Sequence, residues 1–138
     1  MSLQWLAGLL DADGSIGLER VGKNYTPYVS LVSNTNPVIV EEVKRIAKEQ
    51  GWNVHVLYDG ASRKRNARPC WQVRAKGKKA SVPVLSTLVP LLVGKKAQAE
   101  LVLEWCQGPL RRTSLSDRDT AIVDNVRSLN ATGLNPTN

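Results

Sequence analysis

The chain has 138 residues, with 19 Lys and Arg against 12 Asp and Glu and a formal net charge of +7. That length suits one domain of ordinary size and excludes a large multidomain enzyme. With 42% of residues apolar, the chain can build a real core, which excludes wholesale disorder. No apolar run approaches the roughly 18 residues needed to cross a bilayer. The longest, Val82 to Val93, is broken by Ser86, Thr87 and two prolines. The apolar start, Met1 to Leu10, lacks a basic segment and runs into Asp11 and Asp13, so it does not read as a secretory signal. Cys70 and Cys106 form no CxxC pair and no disulfide framework, as expected of reduced thiols in an intracellular protein. The positive excess favours a polyanionic partner, nucleic acid before an acidic membrane, with a merely basic surface as the plainer alternative.

In chain order, Ser2 to Asp11 reads as a short helix capped by Ser2, with Leu3, Leu6, Leu9 and Leu10 at helical spacing. Gly14 ends it. Ser15 to Arg20 alternates as a half-exposed strand, with Ile16 and Leu18 on one face and Ser15, Gly17 and Glu19 on the other. Val21 to Pro27 is a polar connection, and Tyr28 to Ser33 is a second strand. Asn36 followed by Pro37 marks a strong helix start, with Val40, Val43, Ile46 and Ala47 as the apolar stripe and Gly51 as the stop. Asn53 to Tyr58 is a third strand, closed by the turn pair Asp59-Gly60. After a basic irregular stretch, Cys70 to Lys76 alternates as a fourth. Three helices follow: Lys79 to Val89, Lys95 to Gln107 before Gly108-Pro109, and Ser116 to Leu129. This order predicts a single α+β domain over residues 1–129 with an antiparallel sheet, and a loose tail over 130–138.

The informative segment is Leu6-Ala7-Gly8-Leu9-Leu10-Asp11-Ala12-Asp13-Gly14. It is an apolar helix with small residues, which allow close backbone approach, and with acids at its C-terminal end. Acids there oppose the helix dipole, so something should offset them. A divalent cation such as Mg²⁺ or Ca²⁺, held by carboxylate and carbonyl oxygens, is one candidate. The alternative is that Asp13 merely caps a turn before Gly14.

The same nine residues resemble the signature of the LAGLIDADG homing endonucleases, with Leu10 where the signature has Ile. The order αββαββα also fits that family, and the resemblance extends over Leu3 to Leu129. Pro90 to Leu103 is similar to the small single-motif members found in group I introns of organelle and bacterial genes. The resemblance implies that Asp13 ligates a catalytic metal, with the backbone carbonyl of Ala12 beside it. It implies a helix seam between two half-sites through Ala7 and Gly8, and Leu6, Leu10 and Asp11 are placed with that dimer interface, Asp11 in a structural role. It places a water-positioning residue after the second strand. Asn34 is chosen, although counting back from the following helix stripe selects Thr35, and one residue of strand register changes the face. It places a basic residue near the scissile phosphate, Lys95, with Lys96 as its rival. The arginine that some relatives carry on the second helix has no counterpart, since Val38 and Ile39 occupy that region.

The expected function is therefore site-specific cleavage of a long, near-palindromic DNA duplex across the minor groove, leaving 3′ overhangs. One motif supplies one acid and two strands must be cut, so a homodimer is expected. Mg²⁺ is the expected cofactor, with Ca²⁺ or Mn²⁺ able to replace it for binding or turnover; no membrane and no small-molecule substrate are expected. The expected location is the DNA-containing compartment of a bacterium or organelle. On the sheet, Gln72, Arg74 and Lys76 share a face, as do Tyr28 and Ser30, and such a face can lie along a major groove. Arg20 and Lys23 flank the first loop, and Arg63, Lys64, Arg65 and Arg68 are dense enough to follow phosphates. His55, the sole histidine, excludes a His-rich zinc site, and the four tryptophans read as core or interface. Two alternatives on the same fold are an RNA-binding intron maturase and a DNA-binding protein that does not cleave.

Overall fold

Ser2 accepts the backbone N–H of Trp5 and so caps the first helix, α1 (Leu3–Asp13). The computed structural model describes residues 2–59, 70–108 and 115–133. After α1 come β1 (Ser15–Val21), β2 (Asn24–Asn34), α2 (Pro37–Gln50), β3 (His55–Asp59) and β4 (Cys70–Lys76). Then follow α3 (Lys78–Leu88), a single 3₁₀ turn, α4 (Lys96–Gln107) and α5 (Asp117–Gly133). The four strands form one antiparallel sheet in the order β1-β2-β4-β3. The α+β architecture expected from the sequence is the one observed.

Several boundaries differ from the sequence reading. Residues 21–27 are not a loop: Val21 pairs with Asn24 across a two-residue turn, Gly22-Lys23. Gly22 sits at φ 61°, where a side chain would be strained, so the hairpin can close this tightly. α1 runs two residues further than expected, to Asp13, and α5 runs to Gly133 rather than ending at Leu129. Asn130, expected in a loose tail, donates to the Ile16 carbonyl on β1 and also meets Gln98. Pro83 lies inside α3 without breaking it, and the Thr87 hydroxyl takes up the Pro83 carbonyl.

The helices cover one face of the sheet. Ile16, Val29, Val32, Val73 and Ala75 point to that side and are fully buried, together with Leu6 and Leu10 of α1. Each large aliphatic side chain buried this way contributes roughly 1.5–3 kcal/mol. The other face carries Ser15, Gly17, Glu19, Tyr28, Ser30, His55, Gln72, Arg74 and Lys76, as the cross-strand pairs require. Its outer surface is open.

One irregularity decides where β2 delivers its last residues. Ser30 pairs with Arg74 and Val32 with Val73, so Leu31 is an extra residue, a β-bulge. Before the bulge, even-numbered residues of β2 face outward; after it, Ser33 does, opposite Gln72. Asn34, opposite Trp71, is thereby turned toward the helix side. The bulge therefore sets the face on which Asn34 lies.

Gly14 joins α1 to β1 where no side chain fits. A Cβ there would stand 2.3 Å from Leu10 Cδ1 and 2.5 Å from the Ser30 carbonyl oxygen, and the latter is backbone that cannot rotate away. Gly14→Ala is expected to destabilise the protein by about 1–3 kcal/mol, the usual cost of overpacking, read as a lower urea midpoint at unchanged slope.

Candidate active site and open sheet face

The C-terminal end of α1 gathers the polar groups. Asp11 uses both carboxylate oxygens inside the chain: Oδ2 accepts the Val93 N–H and Oδ1 the Lys95 N–H, each at 2.9 Å. Lys95 then reaches back, its Nζ donating to the Asp11 carbonyl at 2.6 Å. A cation on the last turn of a helix is favourable, because the carbonyl end carries partial negative charge. These bonds offset Asp11, the acid that the helix dipole disfavours.

Asp13 has a different environment. It is exposed, and its one partner among the described residues is the Asn34 side-chain amide, which donates to Oδ2 at 2.9 Å. The Asn34 carbonyl oxygen is itself fixed by the Asn36 N–H at 2.8 Å, which sets which end of the amide meets Asp13. The structure thus brings Asp13, Asn34 and Lys95 to one helix end. It is Asn34, not Thr35, that touches Asp13. Ala12, also exposed, sits beside Asp13 on the last turn.

The donors present are hard oxygens, which suit Mg²⁺ or Ca²⁺. Among the described residues no three His, Cys, Asp or Glu side chains stand close enough to hold a metal ion.

The structure corrects the expected dimer residues. Leu6, Ala7 and Leu10 lie within the chain's own core, at 0–1% exposure, and Asp11 is bonded to the segment before α4. The helical period places them opposite Gln4, Gly8 and Ala12, which are exposed, with Trp5 and Leu9 half-buried alongside. A Cβ added at Gly8 would meet nothing within 4 Å. Of the interface residues expected from the sequence, Gly8 alone faces outward on this stripe.

On the open sheet face, Tyr28, Ser30, Gln72, Arg74 and Lys76 line up as expected, and Lys23 stands exposed at the β1–β2 turn. Arg20 does not join them. It pairs with Tyr25, which packs edge-on against Trp105 of α4, so Arg20 belongs to the helix side, and its Nε donates to the Gly22 carbonyl. Strand alternation, not sequence proximity to the loop, decides that. Arg63, Lys64, Arg65 and Arg68 lie outside the described residues. His55 is exposed on the open face, opposite Arg74.

Glu19 belongs to no motif, and only the fold gives it partners. Its Oε2 lies 3.2 Å from Arg74 Nη2 and 3.1 Å from Lys76 Nζ, across the intervening strand. The Arg74 guanidinium also stacks 4.6 Å from the centre of the Tyr28 ring. Gly17 makes room for that ring, since a Cβ there would be 2.9 Å from the Tyr28 hydroxyl. The hydrogen bond from the Lys76 ammonium is the largest influence on the Glu19 carboxyl; burial opposes it, and the charges of Arg74 and Lys76 add to it, so that the carboxyl stays below the usual glutamate range. Alternation had put Glu19 on this face, but its pairing with β4 depends on the order of the strands.

No protein-family model matches the chain, and no curated protein matches it in sequence. Solved structures do match. The chain is similar to the homing endonuclease I-CvuI in complex with its DNA target, at 22% identity and a TM-score of 0.58, over 95% of this chain and 93% of that one. It is similar to the archaeal intron-encoded homing endonuclease I-Vdi141I complexed with DNA, at 11% identity and a TM-score of 0.58, over 94% and 96%. The chain has the LAGLIDADG homing-endonuclease fold. It also matches the LAGLIDADG meganuclease I-AabMI bound to uncleaved DNA, at 16% identity and a TM-score of 0.61, over 99% of this chain but 42% of that one. At these identities the shared property is the fold, so the roles of individual LAGLIDADG positions rest on this chain's own geometry.

The depressed Glu19 carboxyl has a direct check. Its carbon-detected NMR titration should give a midpoint below that of an exposed glutamate, and Lys76→Met should move the midpoint upward while leaving the fold unchanged.

Proposed function

We propose that the chain is a divalent-metal-dependent, site-specific DNA endonuclease that acts as a homodimer. The observation that carries this reading is Asp13: an exposed carboxylate at the negative end of a helix, positioned by Asn34 and left open toward solvent, with a lysine fixed on the same helix end. A lone turn cap would need neither neighbour. The similar structures named above are complexes with their targets or with DNA, and a further one is I-CvuI with the I-CreI target in the presence of Mg, with the DNA not cleaved.

Each residue has a definite part. Asn34 holds one oxygen of Asp13, so the other is presented outward. Lys95 keeps a positive charge beside the place where a phosphodiester would gain negative charge, and Asp11 fixes the backbone that carries it. Asp13 and the Ala12 carbonyl would hold a divalent cation, which would supply an activated water and charge neutralisation at the reacting phosphate. Mg²⁺ is the proposed ion. The single carboxylate per chain supports a dimer in which the Gly8 face of α1 meets its symmetry mate and brings two Asp13 residues to two strands. The open sheet face, with Tyr28, Ser30, Gln72, Arg74 and Lys76, would lie in the major groove on either side, and Lys23 would meet phosphates.

The test is incubation of the full chain with a mixed-site duplex library and Mg²⁺. Double-strand cuts at a selected site are expected. Asp13→Asn should slow cutting by about 10³-fold, equivalent to about 4 kcal/mol of transition-state stabilisation, while retaining binding in Ca²⁺. Binding without cutting by the unaltered chain would replace this reading with that of a DNA-binding protein, and tight binding to folded intron RNA alone would replace it with a maturase. A second expectation concerns assembly. Gly8→Arg should convert a dimer to a monomer in sedimentation velocity at micromolar concentration and abolish double-strand cutting; a wild-type chain that sediments as a monomer on its DNA would overturn the dimer.

A further inference from the structure

A carboxylate on a surface meant for DNA is an anomaly. It repels phosphates, and here it engages two of the cations that would otherwise contact them. Arg74 is poorly placed for a phosphate in any case. Its side chain is only 18% exposed, pinned between the Tyr28 ring and Glu19, and its Nε is buried with no partner among the described residues. A recessed, pre-oriented guanidinium next to a carboxylate is built to meet a target with acceptors on one side and a donor on the other. Besides Arg74, Glu19 and Tyr28, the depression around it is lined by Ser15, Leu18, Ser30 and Gln72, none of them charged.

Resting on the reading of this face as a DNA-binding surface, we propose that Arg74 and Glu19 read one G·C base pair together, Arg74 donating to guanine O6 and N7 and Glu19 accepting from the cytosine amino group. In the major groove that pair alone offers two adjacent acceptors on the purine and a donor on its partner. An A·T pair presents a donor where Arg74 would need an acceptor, and an acceptor or a methyl group where Glu19 would need a donor. The 3.2 Å between Nη2 and Oε2 keeps donor and acceptor side by side, as the two bases are. Lys76, more exposed at 42%, neutralises Glu19 from the flank and leaves the carboxylate charged on approach to the duplex. Glu19 therefore lowers affinity for DNA in general and restores it at one sequence.

The experiment is selection from a fully randomised duplex library with Ca²⁺ present, using the full chain as wild type, Glu19→Gln, Glu19→Asp and Lys76→Met. Thermal unfolding of each variant is followed in parallel. Wild type should fix a G·C pair at one position per half-site, and exchanging it for A·T should weaken binding about tenfold or more. Glu19→Gln should reduce that penalty to about threefold or less, and Glu19→Asp should retain the preference. Lys76→Met should weaken binding to every sequence alike and leave the preference in place. If Glu19→Gln instead tightens binding to all sequences equally, or selects the same sites as wild type, Glu19 is a mere surface charge and the inference is wrong. If wild type selects no sequence at all, the endonuclease reading falls with it.

Discussion

The structure turns on how the C-terminal end of α1 is held. Asp11 catches two backbone N–H groups at Val93 and Lys95, residues 82 and 84 positions away in the chain. Gly14 lets the same helix end lie against the Ser30 carbonyl, where any Cβ would collide. The first contact anchors the helix to the segment before α4; the second anchors it to the sheet. Because carboxylate-to-amide bonds are charge-assisted, they are the stronger kind, roughly 1.5–3 kcal/mol each. With both in place, Asp13 projects from a fixed platform. Without them, a helix of 11 residues would be marginal by itself and its last turn would fray.

The two acids of this turn, only two residues apart, do different work because their partners differ. Asp11 is satisfied by charge-favouring donors from its own chain. Among the described residues Asp13 has one neutral amide. The dipole of α1 acts against both, so the acid that remains open is the one with unspent capacity for a cation. Helical period divides the rest of the segment in the same way. Leu6, Ala7 and Leu10 build the core, and Gln4, Gly8 and Ala12 form a flat outer stripe. The helix therefore carries a packing face, an exposed stripe and an acidic tip.

The sheet shows the same separation of roles by alternation. The fully buried inward positions are Ile16, Val29, Val32, Val73 and Ala75, and most outward positions are polar or charged, with Tyr28 among them. The outward side is not a uniform cationic surface. Glu19 gathers Arg74 and Lys76 into a compact cluster over Tyr28, which trades nonspecific attraction for a fixed arrangement of donors and an acceptor. Electrostatic complementarity of that type favours discrimination over raw affinity.

By itself the sequence determined the element order, the α+β class, the β4 limits and the identity of the acidic helix tip, because these follow from local periodicity, caps and a contiguous motif. Residues distant in sequence could not be placed that way. Asn34 meets Asp13 because a bulge at Leu31 shifts the side-chain alternation by one, and nothing in the strand's composition marks that extra residue. Arg20, which flanks the first loop in sequence, lies on the helix side with its partner Tyr25, which packs against Trp105 of α4. Leu6, Ala7 and Leu10 left the outer seam once the sheet claimed that side of the helix. Glu19 gained its cations only through the strand order β1-β2-β4. Local pattern fixes which faces an element has; only the packing of elements against each other decides which face is buried, and which charges meet.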